Sequence, residues 1–175
     1  IDWPHQTDKY VTGFNVKPGN PRVVHHAIAF LIPPERLATV TALDDAEPGP
    51  GYTFYGCSGG NASTVSWVGS WAPGVAPNMY PADTGLLIKP GSKIVLQMHY
   101  NTAAAPNAAD RVDQTSLELA LADSVKRKAF IMPWADPGWI RDHKMTIPAG
   151  SPDTKHSFSF DPTGFLKTIS GGVLQ

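Results

Sequence analysis

The chain has 175 residues, of which 42% are hydrophobic and only 17% charged, and its formal net charge is -1 at pH 7. That apolar content supports a real core in one large domain or an elaborated sandwich. The near-neutral balance gives no electrostatic case for nucleic acid or an anionic membrane surface, and no apolar run approaches the ~20 residues that a membrane-spanning helix needs.

Glycine and proline are abundant, at 16 and 17. They punctuate the chain roughly every ten residues, a spacing that suits many short strands better than long helices. The chain begins at Ile1 with no initiator methionine and no signal peptide, which reads as a processed, trimmed or partly represented protein.

Tyr10 to Val16 (YVTGFNV) has strand character and ends at the turn Lys17-Pro18-Gly19-Asn20. Arg22 to Ile32 (RVVHHAIAFLI) is the next predicted strand. Val23, His25, Ala27, Ala29 and Leu31 fall on one face, and Val24, His26, Ile28, Phe30 and Ile32 on the other. Both faces are apolar, so the strand is expected to be covered on both sides. Pro33-Pro34 ends it. Glu35 to Asp45 has the spacing of a short helix, with Leu37, Val40 and Asp44 in helical register.

Glu47 to Gly51 is a loop, and GYTFYGCSGG follows with the single cysteine, Cys57. A lone cysteine makes no internal disulfide. It is either a small buried thiol or half of a bridge to a residue outside these 175, which would imply an oxidising compartment. Asn61-Ala62-Ser63 matches a glycosylation sequon, a triplet that also arises by chance.

Thr64 to Trp71 alternates, with Val65, Trp67, Gly69 and Trp71 predicted to share one face. Trp67 and Trp71 read as core. Ala72 to Pro81 is aperiodic. Leu86 to Ile88 and Lys93 to Tyr100 flank Lys89-Pro90-Gly91-Ser92, which has type II turn chemistry, and together they predict a hairpin. In its second strand Ile94, Leu96, Met98 and Tyr100 face one way, and Val95, Gln97 and His99 the other.

Thr115 to Ala122 is a further strand with Leu117, Leu119 and Leu121 inward, and Val125 to Met132 is a candidate partner for it. Lys144 to Ile147 and His156 to Phe160 read as two more short strands, the second with Phe158 and Phe160 on one face. The sum is an all-β chain: an antiparallel β-sandwich, jelly-roll-like, with at most one short helix.

Histidine is the commonest side-chain metal ligand. His25 and His26 lie in one apolar strand and His99 in another, where an unpartnered imidazole is costly to bury. Taken singly, each is more often a satisfied structural residue. Their joint placement favours a metal, and three imidazoles suit copper, zinc, iron or nickel.

Adjacent strand residues point to opposite faces. For His25 and His26 to share an ion therefore requires a local twist, or both rings reaching round through the nitrogen nearer the backbone. Two nitrogens would then approach from nearly opposite sides. That suits low-coordinate Cu(I) better than tetrahedral zinc. His5, His143 and His156 sit in polar, loop-like surroundings and read as solvated. Met79 and Met98 are soft enough for copper but read as packing.

VVHHAIAFLIP, GSWAPG and MYPADTGLLIKPGSKIVLQMHYN, in that order, resemble the copper type II, ascorbate-dependent monooxygenases, whose animal members include dopamine β-hydroxylase and peptidylglycine α-hydroxylating monooxygenase. The spare WAPG and LQMHYN forms look like those of bacterial relatives. The resemblance implies two β-sandwich domains with one copper each. Its electron-donating copper would be held by His25, His26 and His99. The second copper, where O2 is activated and a C–H bond hydroxylated, would use a His-x-His motif and a distant methionine, and no His-x-His occurs in this sequence.

On the resemblance, residues 1–145 form the N-terminal copper-binding domain, and 146–175 its end or the start of a truncated second domain. The expected partners are a reductant, either ascorbate or an electron-donor protein, and the missing C-terminal copper domain. The expected location is extracellular or periplasmic, with Cys57 bridged to a cysteine before Ile1. Two other readings stand beside this one: a non-catalytic copper-binding or electron-transfer module of a secreted or envelope assembly, and a metal-free structural sandwich.

Overall fold

The computed structural model describes residues 1–48, 66–131, 134–136, 138–139 and 142–169. Cys57, the Asn61-Ala62-Ser63 sequon and the predicted strand residues Thr64 and Val65 lie outside the described residues. The chain divides into two compact units, Ile1–Met132 and Pro133–Gln175. No helix among the described residues is long and apolar enough to cross a membrane.

The first unit is a sandwich of two sheets. Its strands are β1 (Lys9–Lys17), β2 (Val24–Ile32), β3 (Ser66–Trp71), β4 (Asn78–Met79), β5 (Thr84–Ile88), β6 (Lys93–Tyr100), β7 (Ser116–Ala122) and β8 (Arg127–Ala129). Helix α1 (Leu37–Asp45) follows β2 where the spacing predicts it, entered through a 3-10 turn, Pro34–Arg36. Proline suits that start because its missing N–H would have had no intrahelical partner.

In the larger sheet, β7 runs antiparallel along one edge of β1. The other edge of β1 is shared, with β5 opposite Lys9–Val11 and β4 opposite Gly13 and Phe14. The smaller sheet has the order β3-β2-β6, all antiparallel. Val11, Phe14 and Leu86 from the first sheet meet Ala29, Leu31 and Val68 from the second in one core. The second face of β2 is covered as well: Ile28, Phe30 and Ile32 are all buried. An apolar strand of nine residues with both faces apolar is therefore the centre of its sheet.

Several expectations need correction. The Lys89–Ser92 turn forms, with Ser92 N donating to the Lys89 carbonyl at 3.3 Å and Gly91 at φ +75°. It does not close a hairpin, because β5 pairs with β1 and β8 while β6 pairs with β2. The turn is an arch between the two sheets. The edge of β6 that a hairpin partner would need is taken by the chain's first residues: Ile94 N donates to the Ile1 carbonyl at 2.8 Å, and Asp2 bridges to Lys93.

The Val125–Met132 segment gives β8, which pairs with β5 in parallel rather than with β7. Arg127 fixes that choice. Its backbone N–H donates to the Asp83 carbonyl, its Nε to Thr84 Oγ1 and its second guanidinium nitrogen to the Ala82 carbonyl. Leu121, expected inward, is 37% exposed, whereas Leu117 and Leu119 pack on the core.

The alternation predicted for β3 breaks at a bulge. Ala29 pairs with Gly69 but Phe30 pairs with Trp67, so Val68 is the extra residue. A bulge turns two neighbouring residues toward one partner. Val68 is consequently buried completely, and Trp67 sits with Phe30, ring centroids 5.4 Å apart, on the face turned away from Trp71 and the core.

In the second unit the predicted strands Lys144–Ile147 and His156–Phe160 are absent; both segments are irregular. His156 Nε2 donates to the Thr146 carbonyl at 3.0 Å, so a side chain occupies an acceptor that a strand ladder would use. Phe158 and Phe160 do share a face. Their rings stack with centroids 6.3 Å apart and planes 11° from parallel, and Trp134 meets both. Just ahead of helix α2 (Thr163–Ile169), the Asp161 carboxylate accepts from Thr163 N at 2.9 Å.

Candidate metal centre

Three imidazoles converge at one end of the smaller sheet. The register of β2 against β6 slips there: Val24 pairs with Tyr100 and His26 with His99, which leaves His25 as the extra residue of a bulge. Two neighbouring residues then oppose one, and His25 and His26 both come to His99. This is the local distortion that an adjacent pair requires. The next pair along the ladder, Ala27 and Met98, packs into the sandwich core. By alternation the His26–His99 pair lies on the sheet's outer face.

The ring centroids are 5.3 Å apart for His25–His26, 4.9 Å for His25–His99 and 4.6 Å for His26–His99. One ligand atom from each residue can be chosen so that all three lie within 4.8 Å of one another. His25 Nδ1 and His26 Nδ1 are 3.1 Å apart, so the nitrogens nearer the backbone do turn to each other. With one ring protonated there and the other not, the pair forms an N–H···N hydrogen bond.

His25 and His99 are exposed and His26 is half-buried. Burial, reinforced by His99 and then His25, holds the His26 imidazole below its usual pKa. The ring is thereby biased to the neutral form that a metal requires.

The donor set fits a borderline or soft transition metal. It has three imidazole nitrogens, and among the described residues no carboxylate or thiolate belongs to this cluster. At metal–nitrogen distances of about 2.0 Å, two nitrogens on one ion are separated by about 3–4 Å. The Nδ1 pair already meets that range, and the three ligand atoms lie within 4.8 Å of one another.

A polar hub holds the two strand ends. Asn20, in the turn before β2, sends its side-chain amide to the carbonyls of Asp110 and Val112, and its backbone N–H to the Asp113 carboxylate at 2.8 Å. Tyr100, next to His99, donates its hydroxyl to the same carboxylate at 3.0 Å, and Thr115 Oγ1 does so at 2.8 Å. Asn101 N donates to the Val23 carbonyl at 2.8 Å. The start of β2 and the end of β6 are fixed on either side of the histidines.

Burial alone would push the Asp113 carboxyl up. The hydrogen bonds it accepts from Thr115, Asn20 and Tyr100 outweigh that and hold it below the ordinary aspartate value. Its contribution to stability is therefore complete above pH ~4, the unfolded value, and is lost as pH falls through the lower folded value. Asp113→Asn is expected to cost about 1–2 kcal/mol at pH 7, with the gap to the wild type closing in acid. Melting temperatures of both proteins between pH 7 and pH 3 would show it. A gap that does not change with pH would mean the carboxylate charge is unimportant.

The other candidates lie elsewhere. The His5 ring packs beside Trp3 with centroids 5.0 Å apart. His143 holds a left-handed backbone conformation, φ +52°. His156, expected to be solvated, is half-buried and hydrogen-bonded to Thr146. Met98 packs on the core as predicted, and Met79 is 64% exposed. The Asn20–Asp113–Tyr100 hub was not predicted, because a side-chain network across 90 residues leaves no local pattern. The bulge did leave one: two histidines break the alternation of an otherwise regular strand. No protein-family model matches the chain, and no curated protein matches it in sequence.

Proposed function

We propose that this chain supplies the electron-transfer copper site of a copper-dependent monooxygenase, with His25, His26 and His99 as ligands. The observation that carries the reading is the bulge that brings an adjacent pair and a cross-strand histidine to one point. When bound, copper would supply one-electron redox chemistry between Cu(II) and Cu(I). The residues' part is to hold three neutral imidazoles in a rigid strand pair, with no anionic ligand, which favours the lower charge. The exposure of His25 and His99 leaves the site open to a reductant, either ascorbate or a donor protein. In this reading residues 1–145 are the N-terminal copper domain of a secreted protein, and hydroxylation takes place at a second copper held by another domain.

One observation favours a second reading. The sequence contains no His-x-His, and the described residues hold one histidine cluster. Within these 175 residues, that is the ligand set of a copper-binding or electron-transfer module.

Metal analysis and electron paramagnetic resonance of the copper-loaded protein test the shared part. One copper per chain, with nitrogen hyperfine structure that disappears on adding ascorbate and returns in air, is expected. A protein that folds fully in chelator and takes up no copper would instead be a structural sandwich. Hydroxylation of a substrate only after addition of a second copper domain separates the first reading from the second.

A further inference from the structure

An open sheet has edges, and an edge with unpaired N–H and C=O groups is a template for another strand. Most edges of this sandwich are protected. Ile1 and Asp2 cover the start of β6, and Ile131 bridges to Trp67 on β3. β8 is three residues long and lies within the basic run Lys126-Arg127-Lys128. β4 is two residues long, between Pro77 and Pro81. Short length, lysine and proline are the usual devices against edge pairing.

β7 has none of them. It is seven residues long, SLELALA, with no proline and no lysine, and the irregularity in its ladder lies in β1, at Thr12. Among the described residues β7 pairs with β1 alone, so its other edge carries unpaired backbone groups. Its one charge, Glu118, is turned to its own sheet, where the carboxylate accepts from Asn15 Nδ2 at 2.8 Å. Leu117 and Leu119 are only half-buried, and Leu121, on the same face, is 37% exposed.

We propose that β7 is the edge through which two copies of this chain pair, antiparallel and two-fold symmetric about Leu119, joining their larger sheets into one. The register follows from the sequence. Residues directly opposite one another share a face of the sheet, so the two-fold axis must pass through a residue. Through Glu118 it would set two carboxylates opposite each other, which is unfavourable. Through Leu119 it pairs all seven residues of the strand. Glu118 then meets Ala120 of the partner subunit, and Leu121 meets Leu117 of the partner subunit. The surface is thus its own complement in charge and in apolar side chains, as a two-fold interface requires. The pairing covers Leu121, which one copy alone leaves open to water. It goes beyond the metal-site reading and does not depend on it.

The test is sedimentation velocity of the full chain in chelator, from micromolar to millimolar concentration, as wild type, Ala120→Glu and Ala120→Lys. The wild type is expected to pass from monomer to dimer within that range. Ala120→Glu sets like charges opposite each other at two symmetric places and is expected to weaken the dimer about 10-fold, whereas Ala120→Lys sets opposite charges there and is expected to strengthen it. Amide exchange of the wild type at both ends of the range locates the contact. The protection gained at high concentration is expected within Ser116–Ala122.

A wild type that stays monomeric at millimolar concentration overturns the proposal and leaves the edge to a strand of another protein. A dimer that responds to neither charge, or whose newly protected amides lie outside β7, overturns the contact assigned to it. If either variant does not fold, the exchange pattern of the wild type decides alone.

Discussion

Gly69→Ala is expected to destabilise the sandwich by about 3 kcal/mol, at the upper end for inserting a single carbon into a packed core. Gly69 is on β3 of the smaller sheet and Phe14 on β1 of the larger. A Cβ added at Gly69 would lie 2.5 Å from two ring carbons of Phe14 and 2.8 Å from a third. Phe14 is 4% exposed, so its ring has little freedom to withdraw. Gly69 also stands beside the Val68 bulge, where the backbone is committed to a second distortion.

Chemical denaturation of Gly69→Ala, Phe14→Leu and the double variant checks this. Phe14→Leu frees space at the cost of some apolar contact. The double variant should therefore lose less than the two single losses added together. Strict additivity would show that the ring and the glycine are not in contact.

The second large effect is on metal binding. Copper at 100 times its dissociation constant is expected to stabilise the wild type by about 2.7 kcal/mol, since a ligand of the native state alone stabilises by mass action. His99→Ala removes one of the three proposed ligands, and that loss should exceed the 10–100-fold typical of outer-shell changes. At the same copper concentration, a protein weakened 100-fold keeps only about 0.4 kcal/mol of the effect.

Because the His99 ring is exposed, the metal-free variant should melt close to the metal-free wild type. His143→Asn, which suits the left-handed backbone at that position, should respond to copper like the wild type. Thermal melts with and without copper on these three proteins are sufficient. A full copper response in His99→Ala would remove His99 from the site.

The strands and the histidines were legible in the sequence for different reasons. β1, β2 and β6 declare themselves through alternation and β-branched residues, and α1 through its spacing after Pro33-Pro34. What alternation cannot say is which edge a strand will find. Lys89-Pro90-Gly91-Ser92 specifies a chain reversal, and it makes one. The occupant of the neighbouring edge of β6 is decided by residues 1–3, some ninety positions away. β8 is drawn to β5 by the side chain of Arg127, which no hydrophobic pattern reports.

At the site the residue types were readable but the geometry was only half so. The Nδ1-to-Nδ1 approach of His25 and His26 follows the expectation for an adjacent pair. Their 3.1 Å separation brings the nitrogens side by side, not to the opposite sides of an ion. The single inserted residue of the bulge accounts for the difference, because it turns both rings to one side instead of splaying them across the strand.

The two halves of the histidine cluster belong to strands separated by roughly seventy residues of chain. A zinc finger draws its ligands from a short stretch, so its ion can nucleate the fold. Here, closing the loop between His26 and His99 carries the entropy of a long segment, and that closure is completed only when β2 and β6 have zipped. Pairings this distant in sequence form slowly. On the proposed metal-site reading, the ion would therefore be a late arrival in the life of the chain, received by a finished sheet. Delivery of metal would then be a step that a cell can schedule separately from folding.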